Sequence, residues 1–148
     1  MKARTQARGI ALQVLYEVDM VNHNPVDSLQ ARLEETHLSE ELVEFVRQII
    51  FGVLPLRDRL DTLIARYAPE WPLEQIAAID RNILRIAVWE FAGGNITPLK
   101  VAINEAVELA KQYGSDSAPR FVNGVLGSLA EREDEIRKQL HAPVPAKS

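Results

Sequence analysis

The chain has 148 residues, the usual length of one domain, and 47% of them are hydrophobic, which predicts a single folded core and excludes a disordered chain. The absence of cysteine excludes disulfide bonds, thiolate zinc sites and cysteine nucleophiles. The net charge of -4 argues against nucleic-acid binding by the whole surface.

No apolar run approaches the roughly 20 residues needed to cross a bilayer. The basic N-terminus, MKARTQAR, is followed by an amphipathic segment and not by the continuous apolar stretch of a signal peptide. We therefore expect a cytoplasmic protein.

Apolar residues recur at helical spacing along the chain, in stripes that begin at Ala7, Leu42, Leu56, Ala102 and Phe121. Residues 76–91 are apolar on nearly every side, which predicts a central helix contacted by several others. The expected fold is all-α, a compact bundle of six to seven helices.

Capping and helix-breaking residues lie where they are expected at the ends of these predicted helices. Ser39 is a suitable N-cap because Glu40 and Glu41 follow in the first turn, whereas Pro55 either kinks one long helix or opens a new one. Gly93-Gly94 ends the central helix, and Thr97-Pro98 starts the next. We expect one domain over residues 1–140 and a disordered tail over residues 141–148, which lacks periodicity and contains two prolines.

Catalytic and metal-binding motifs are absent. His23, His37 and His141 are far apart in sequence, and none is paired with another ligand at helical spacing. The Gly93-Gly94 pair ends a helix and does not open one after a strand, so it is not a phosphate-binding loop. The sequence predicts neither an enzyme nor a bound cofactor or metal.

Positive charge is concentrated at the N-terminus, where Lys2, Arg4 and Arg8 precede the first acidic residue, Glu17. Charge alone favours a solvated helix start. Arg4 and Arg8 lie one helical turn apart on one face.

Three segments resemble the NusB family of bacterial transcription antitermination factors: ARGIALQVLYEVD (7–19), IDRNILRIAVWEF (79–91) and PLKVAINEAVELAKQYGSDSAPRFVNGVL (98–126). The resemblance covers residues 7 to about 129, and the pairing of VAINEAVELAKQYG with FVNGVL is its most specific part. It implies two helical subdomains packed across each other. It also implies binding to boxA RNA of ribosomal RNA leader transcripts together with NusE, a small-subunit ribosomal protein, in an antitermination complex with RNA polymerase.

The resemblance implies an RNA-binding set made of Lys2, Arg4, Arg8, Lys100, Ser117, Arg120 and Phe121. Lys100, Arg120 and Phe121 lie at the starts of the last two predicted helices, where free N–H groups favour phosphate. Phe121 is expected either to stack on a base or to pack in the core. Ser117 stands where the family often has an acidic residue, so a carboxylate that would repel phosphate is missing.

The same resemblance assigns Tyr16, Glu74 and Asp80 to contacts with the protein partner. Arg85, Glu90, Asn104 and Glu105 are interpreted as structural, with an Arg–carboxylate pair between the second and third motif helices.

The N-terminal arm is less basic than in some relatives, because Thr5 and Gln6 stand where further arginines can occur. If about four phosphates are neutralised, affinity should fall roughly fifty-fold between about 50 and 200 mM salt, so weak RNA binding by the isolated chain is expected. The main alternative is a helical protein-interaction scaffold, with a homodimer as one form, that does not bind RNA. A helical domain that accompanies a ribosomal-RNA methyltransferase is less favoured, and a small enzyme is not supported.

Overall fold

The computed structural model describes residues 2–70 and 72–142. Helices account for nearly all of them, and no strand occurs in this part of the chain. The α-helices are α1 (Ala3–Val21), α2 (Pro25–Glu35), α3 (Glu40–Tyr67), α4 (Ala78–Val88), α5 (Leu99–Tyr113), α6 (Ala118–Ala130) and α7 (Glu133–Leu140). A 3-10 turn (Leu73–Gln75) precedes α4, and a π-helical turn (Trp89–Gly93) follows it. The predicted all-α fold is confirmed.

Helix α3 runs without a break through Pro55. The Ser39 hydroxyl accepts a hydrogen bond from the backbone N–H of Leu42, and Glu40 and Glu41 occupy the first turn. The cap therefore lies where the sequence places it. Proline cannot donate to the carbonyl four residues earlier, that of Phe51, so this side of α3 lacks one helical hydrogen bond.

Helix α4 is the centre of the molecule, as predicted for residues 76–91. It packs against α1, α3, α5 and α6, and residues 83–88 are at most 5% exposed. On one side α1, α2 and α3 pack together, and on the other α5 and α6 form a helical hairpin. This arrangement buries α4 on several sides.

The end of the central helix widens into the π-helical turn. The backbone N–H of Gly94 donates to the carbonyl of Trp89 at 2.7 Å, a span of five residues. Cβ atoms built on Gly93 and Gly94 would both lie 2.6 Å from the Trp89 indole. Glycine at these two positions therefore lets the backbone close around the ring.

Helix α7 has no counterpart among the predicted stripes. Ile136 and Leu140 are its buried residues, and it packs on α3 and the π-helical turn. Arg59 donates to the carbonyls of Leu140 and Ala142, and the His141 ring lies 3.0 Å from the carbonyl of Ala92. Residues 143–148, the rest of the tail that the sequence predicts to be disordered, lie outside the described residues.

None of the helices in the described ranges combines the length and apolarity required for a membrane span.

Candidate nucleic-acid interface

The start of α1 borders a groove, here called the arm groove, that consists of two adjoining depressions. The first has a volume of about 600 Å³ and lies between α1, α5 and α6. The second has a volume of about 410 Å³ and lies between α1 and the start of α5. Lys2 and Glu105 line both, so the depressions are continuous.

Lys2 and Arg4 are exposed and line the arm groove. Neither has a carboxylate partner within salt-bridge distance in the described part of the chain. The Arg4 guanidinium lies 4.6 Å from the centroid of the Phe45 ring, a cation–π contact that orients it. Both cations are therefore available to an anionic ligand.

Arg8 differs from its predicted role. Its side chain is only 3% exposed and donates to both carboxylate oxygens of Glu90, at 2.8 and 2.9 Å. Thr97 also donates to Glu90, at 2.7 Å, and Glu105 lies 3.6 Å from the Arg8 guanidinium. A buried charge must be paired to be tolerated, and this pairing takes Arg8 out of the phosphate-binding set.

The polar lining of the groove includes residues that the sequence analysis missed. Asn104, interpreted there as structural, is exposed and lines the first depression with Asn123 and Lys111. Lys111 pairs with Glu108 at 3.2 Å, an exposed contact that is easily exchanged. The sequence feature that could have identified these residues is the i, i+7 spacing of Asn104 and Lys111, which places both on one face of α5.

Lys100, Ser117 and Arg120 are exposed but do not share one end of the molecule. Helices α5 and α6 are joined by only four residues, 114–117, and pack as an antiparallel hairpin. The start of α5 is therefore about 20 Å from the start of α6. Lys100 therefore lies at the arm end of α5, and Ser117 and Arg120 lie at the other end of this helix.

Phe121 and Asp80, predicted to meet RNA and protein respectively, line one cavity of about 290 Å³. Phe121 is partly buried and packs against the core. Asp80 is 8% exposed, its Oδ1 accepts no hydrogen bond in the described structure, and burial raises the pKa of its carboxyl group. A Cβ on Gly114 would lie 3.1 Å from that oxygen, which places Asp80 beneath the α5–α6 turn. One residue predicted for each surface therefore lies at this turn.

The other two residues predicted for the partner contact, Tyr16 and Glu74, are partly exposed on α1 and exposed on the 3-10 turn, respectively. Neither lines the cavity that contains Asp80. Of the three residues predicted for the partner contact, only Asp80 therefore lines this cavity with Phe121.

The Arg85 ion pairs are structural, but their partners differ from those predicted. Arg85 donates to Asp61 of α3 at 2.6 and 2.7 Å and to Asp19 of α1 at 2.5 Å. Burial opposes the charged form of Asp19, yet hydrogen bonds from Asn82 and the charge of Arg85 hold its pKa below the usual value. The predicted pair with a carboxylate of the third motif helix is wrong for Arg85. Arg8 is the arginine that lies near Glu105 of that helix.

Within residues 2–70 and 72–142, no three His, Asp or Glu side chains converge as a metal-binding group. The arm groove combines exposed cations with amide side chains, a combination that suits a phosphate backbone and hydrogen-bonding bases.

Known proteins resemble this chain over most of its length. The model of the NusB family matches residues 5–131. The transcription antitermination protein NusB of Dehalococcoides mccartyi is 46% identical over 137 residues, which cover 93% of this chain and 96% of that protein. A crystal structure of antitermination factors NusB and NusE in complex with dsRNA superposes with a TM-score of 0.80 at 25% identity, covering 89% of this chain and 98% of that one. A T. maritima NusB structure superposes with a TM-score of 0.76 at 32% identity, covering 96% of this chain and 94% of that one. This chain therefore belongs to the NusB family.

Proposed function

We propose that this chain is a transcription antitermination factor that binds boxA-type RNA of ribosomal RNA leader transcripts together with the NusE-type ribosomal protein. In this role it joins the RNA polymerase complex and suppresses premature termination. The function requires no catalytic step and places the protein in the cytoplasm, where bacterial transcription takes place.

The observation that carries the proposal is the pairing pattern of the cations in the arm groove and at the nearby start of α5. Lys2, Arg4 and Lys100 have no carboxylate within salt-bridge distance among the described residues, whereas the buried Arg8 and Arg85 are fully engaged. Unpaired cations at the edge of a polar groove in an acidic protein form a local phosphate-binding site. Family membership supports RNA as the source of the phosphate.

The same pattern predicts weak binding by the isolated chain. If Lys2, Arg4 and Lys100 each neutralise one phosphate of single-stranded RNA, affinity falls about twentyfold between about 50 and 200 mM salt. A partner that contacts both this chain and the RNA raises the affinity by coupling the two equilibria. We assign Tyr16, Glu74 and Asp80 to that partner and Ser117, Arg120 and Phe121 to RNA near the α5–α6 turn, where the two surfaces meet.

The deciding experiment is fluorescence-anisotropy titration of a labelled boxA RNA and a scrambled RNA, each with and without the NusE-type protein. Selective binding that the partner strengthens is expected. The double variant Lys2→Ala/Arg4→Ala should lower RNA affinity and reduce the salt slope by about 1.4. Lys138→Ala is the matched control, because this exposed lysine lies on α7 and not in the arm groove.

Equal, weak binding to both RNAs in every mixture would overturn the proposal. If the partner still bound this chain under those conditions, a protein scaffold that does not bind RNA would replace it. In that case the Lys2→Ala/Arg4→Ala variant would leave partner association unchanged.

A further inference from the structure

The outer face of α3 exposes an aromatic side chain. Phe51 is 41% exposed and lines a depression of about 530 Å³ between α3 and the π-helical turn. Glu44, Arg47 and Gln48 line the same depression, at the i, i+3, i+4 and i+7 spacing that places them with Phe51 on one helix face. This surface, here called the Phe51 depression, was not singled out by the sequence.

The Phe51 depression adjoins the arm groove. Ile96 lines both, and it is 40% exposed. Val101, which is 45% exposed, lines the second depression of the arm groove together with Arg4 and Ile96. Among the described residues, three exposed large hydrophobic side chains therefore line one path, from the start of α5 through Ile96 in the preceding segment to Phe51 on α3.

Unpaired cations accompany this path. Arg47 is exposed and, like Lys2, Arg4 and Lys100, has no salt-bridge partner in the described ranges. Carboxylates are present at the edges, Glu44 beside Arg47 and Glu105 in the arm groove. An exposed aromatic ring beside cations that follow a groove is the combination that binds single-stranded nucleic acid, because bases stack on the ring and phosphates pair with the cations.

The floor of the Phe51 depression is held in place by close packing. A Cβ on Gly52 would lie 2.3 Å from the Trp89 indole, and one on Gly94 would lie 2.6 Å from it. Trp89 is only 7% exposed, so its ring is fixed between the two backbones. A fixed floor presents Phe51 and Arg47 to a ligand with little loss of freedom on binding.

We propose that single-stranded RNA continues from the arm groove across Ile96 to the Phe51 depression, where a base stacks on Phe51 and Arg47 binds the adjacent phosphate. The inference rests on the proposed function and extends it. It makes Phe51 and Arg47 determinants of affinity for nucleotides that flank the segment bound by the arm.

The experiment uses the full chain and two sets of RNA: the core boxA segment alone, and the same segment extended by one to four nucleotides at either end. Extension at one end should raise the affinity of the native chain. Phe51→Ala should remove that gain, a loss of about tenfold, while affinity for the core segment is unchanged. Phe51→Leu should behave like Phe51→Ala and Phe51→Tyr like the native chain, since only an aromatic ring stacks.

Two further variants complete the design. Arg47→Ala should lower the salt slope for the extended RNA by about 0.7. Val26→Ala is the control, because Val26 is 60% exposed on α2 and lines neither groove. Equal melting temperatures establish that Phe51→Ala and its control are folded.

The possible outcomes separate this inference from the proposed function. Core binding without any gain from extension, or a gain that Phe51→Ala leaves intact, overturns the inference and leaves the proposed function standing. Failure of the native chain to bind any of the RNAs overturns both. Loss of association with the NusE-type protein in Phe51→Ala, without loss of RNA affinity, overturns the inference in favour of a protein-binding surface.

Discussion

The guanidinium of Arg8 and the carboxylate of Glu90 form an ion pair with three hydrogen bonds between α1 and the π-helical turn. The pair is nearly inaccessible, with side-chain exposures of 3% and 1%. It fixes the first turns of α1 against the segment that leads into α5, because Thr97 donates to the same carboxylate. The exposed Lys2 and Arg4 are thereby held at the edge of the arm groove.

Glu90→Ala should destabilise the protein by about 3–5 kcal/mol, because it leaves the Arg8 charge buried without its partner. Arg8→Ala should have a similar effect. Arg4→Ala should lower the free energy of unfolding by no more than about 1 kcal/mol, because this side chain is exposed and loses only its cation–π contact with Phe45. Urea unfolding measures all three.

The same variants decide between structural and RNA-binding roles for Arg8. In RNA titrations below the melting temperature of each variant, Arg4→Ala should lower the salt slope. A folded Arg8→Ala protein of native stability with a lowered salt slope would instead return Arg8 to the phosphate-binding set.

Arg85→Ala should destabilise the protein by about 3–5 kcal/mol, since it leaves Asp19 and Asp61 without the cation they share. Arg85→Ala should lower RNA affinity less than it lowers stability, because Arg85 is buried and does not line the arm groove. Arg57→Ala is the control: Arg57 also pairs with Asp19 but is 39% exposed, so a loss of about 0.2–1 kcal/mol is expected. An unchanged melting temperature in Arg85→Ala would contradict the structural assignment.

Lowering the pH should weaken the ion pairs that Arg85 makes with Asp19 and Asp61. The pKa of Asp19 is lowered in the folded state, so its stabilisation is present above the unfolded pKa and is lost as the pH falls through the folded pKa. Asp19→Asn should be less stable than the native chain at pH 7, and the difference should shrink below about pH 4. Urea midpoints measured across that range test the sign, and a constant difference would show that the Asp19 charge contributes nothing.

The contribution of Asp80 to stability should depend on pH in the opposite direction. Burial raises the pKa of this carboxyl group, so the folded chain favours its protonated form and loses stability as the pH rises through the folded pKa. Asp80→Asn should therefore raise the melting temperature at pH 7 and have little effect when both states are protonated, near pH 3. Association with the NusE-type protein should weaken, because Asp80 is assigned to that contact. A lower melting temperature at pH 7 would mean that the buried carboxylate is satisfied in the folded state.

Gly52→Ala should cost about 1–3 kcal/mol, because its Cβ would overlap the buried Trp89 indole. Gly127→Ala is the matched control. Nothing lies within 4 Å of a Cβ at that helical position, so alanine should stabilise the chain by about 0.5–1 kcal/mol. Equal effects of the two substitutions in thermal melts would exclude tight packing around Trp89.

The sequence by itself determined the helical class, the cap at Ser39 and the central position of residues 76–91. These features depend on neighbours a few residues apart, and 3.6-residue periodicity records them directly. The apolar periodicity did not predict helix α7, because this helix has only eight residues and buries only Ile136 and Leu140. The end of α4 was predicted at the glycine pair, but the π-helical turn depends on the Trp89 ring filling the space beside Gly93 and Gly94.

Only the tertiary structure decided which charges are free. In the sequence Arg4 and Arg8 are equivalent, one turn apart on a basic arm. In the fold Arg8 meets Glu90, 82 residues away, while Arg4 stays at the surface. The antiparallel packing of α5 and α6 likewise separates Lys100 from Arg120, and the approach of α3 to the π-helical turn creates the Phe51 depression. Burial and ion pairing are set by contacts between distant segments, so the spacing of residues along the chain does not encode them.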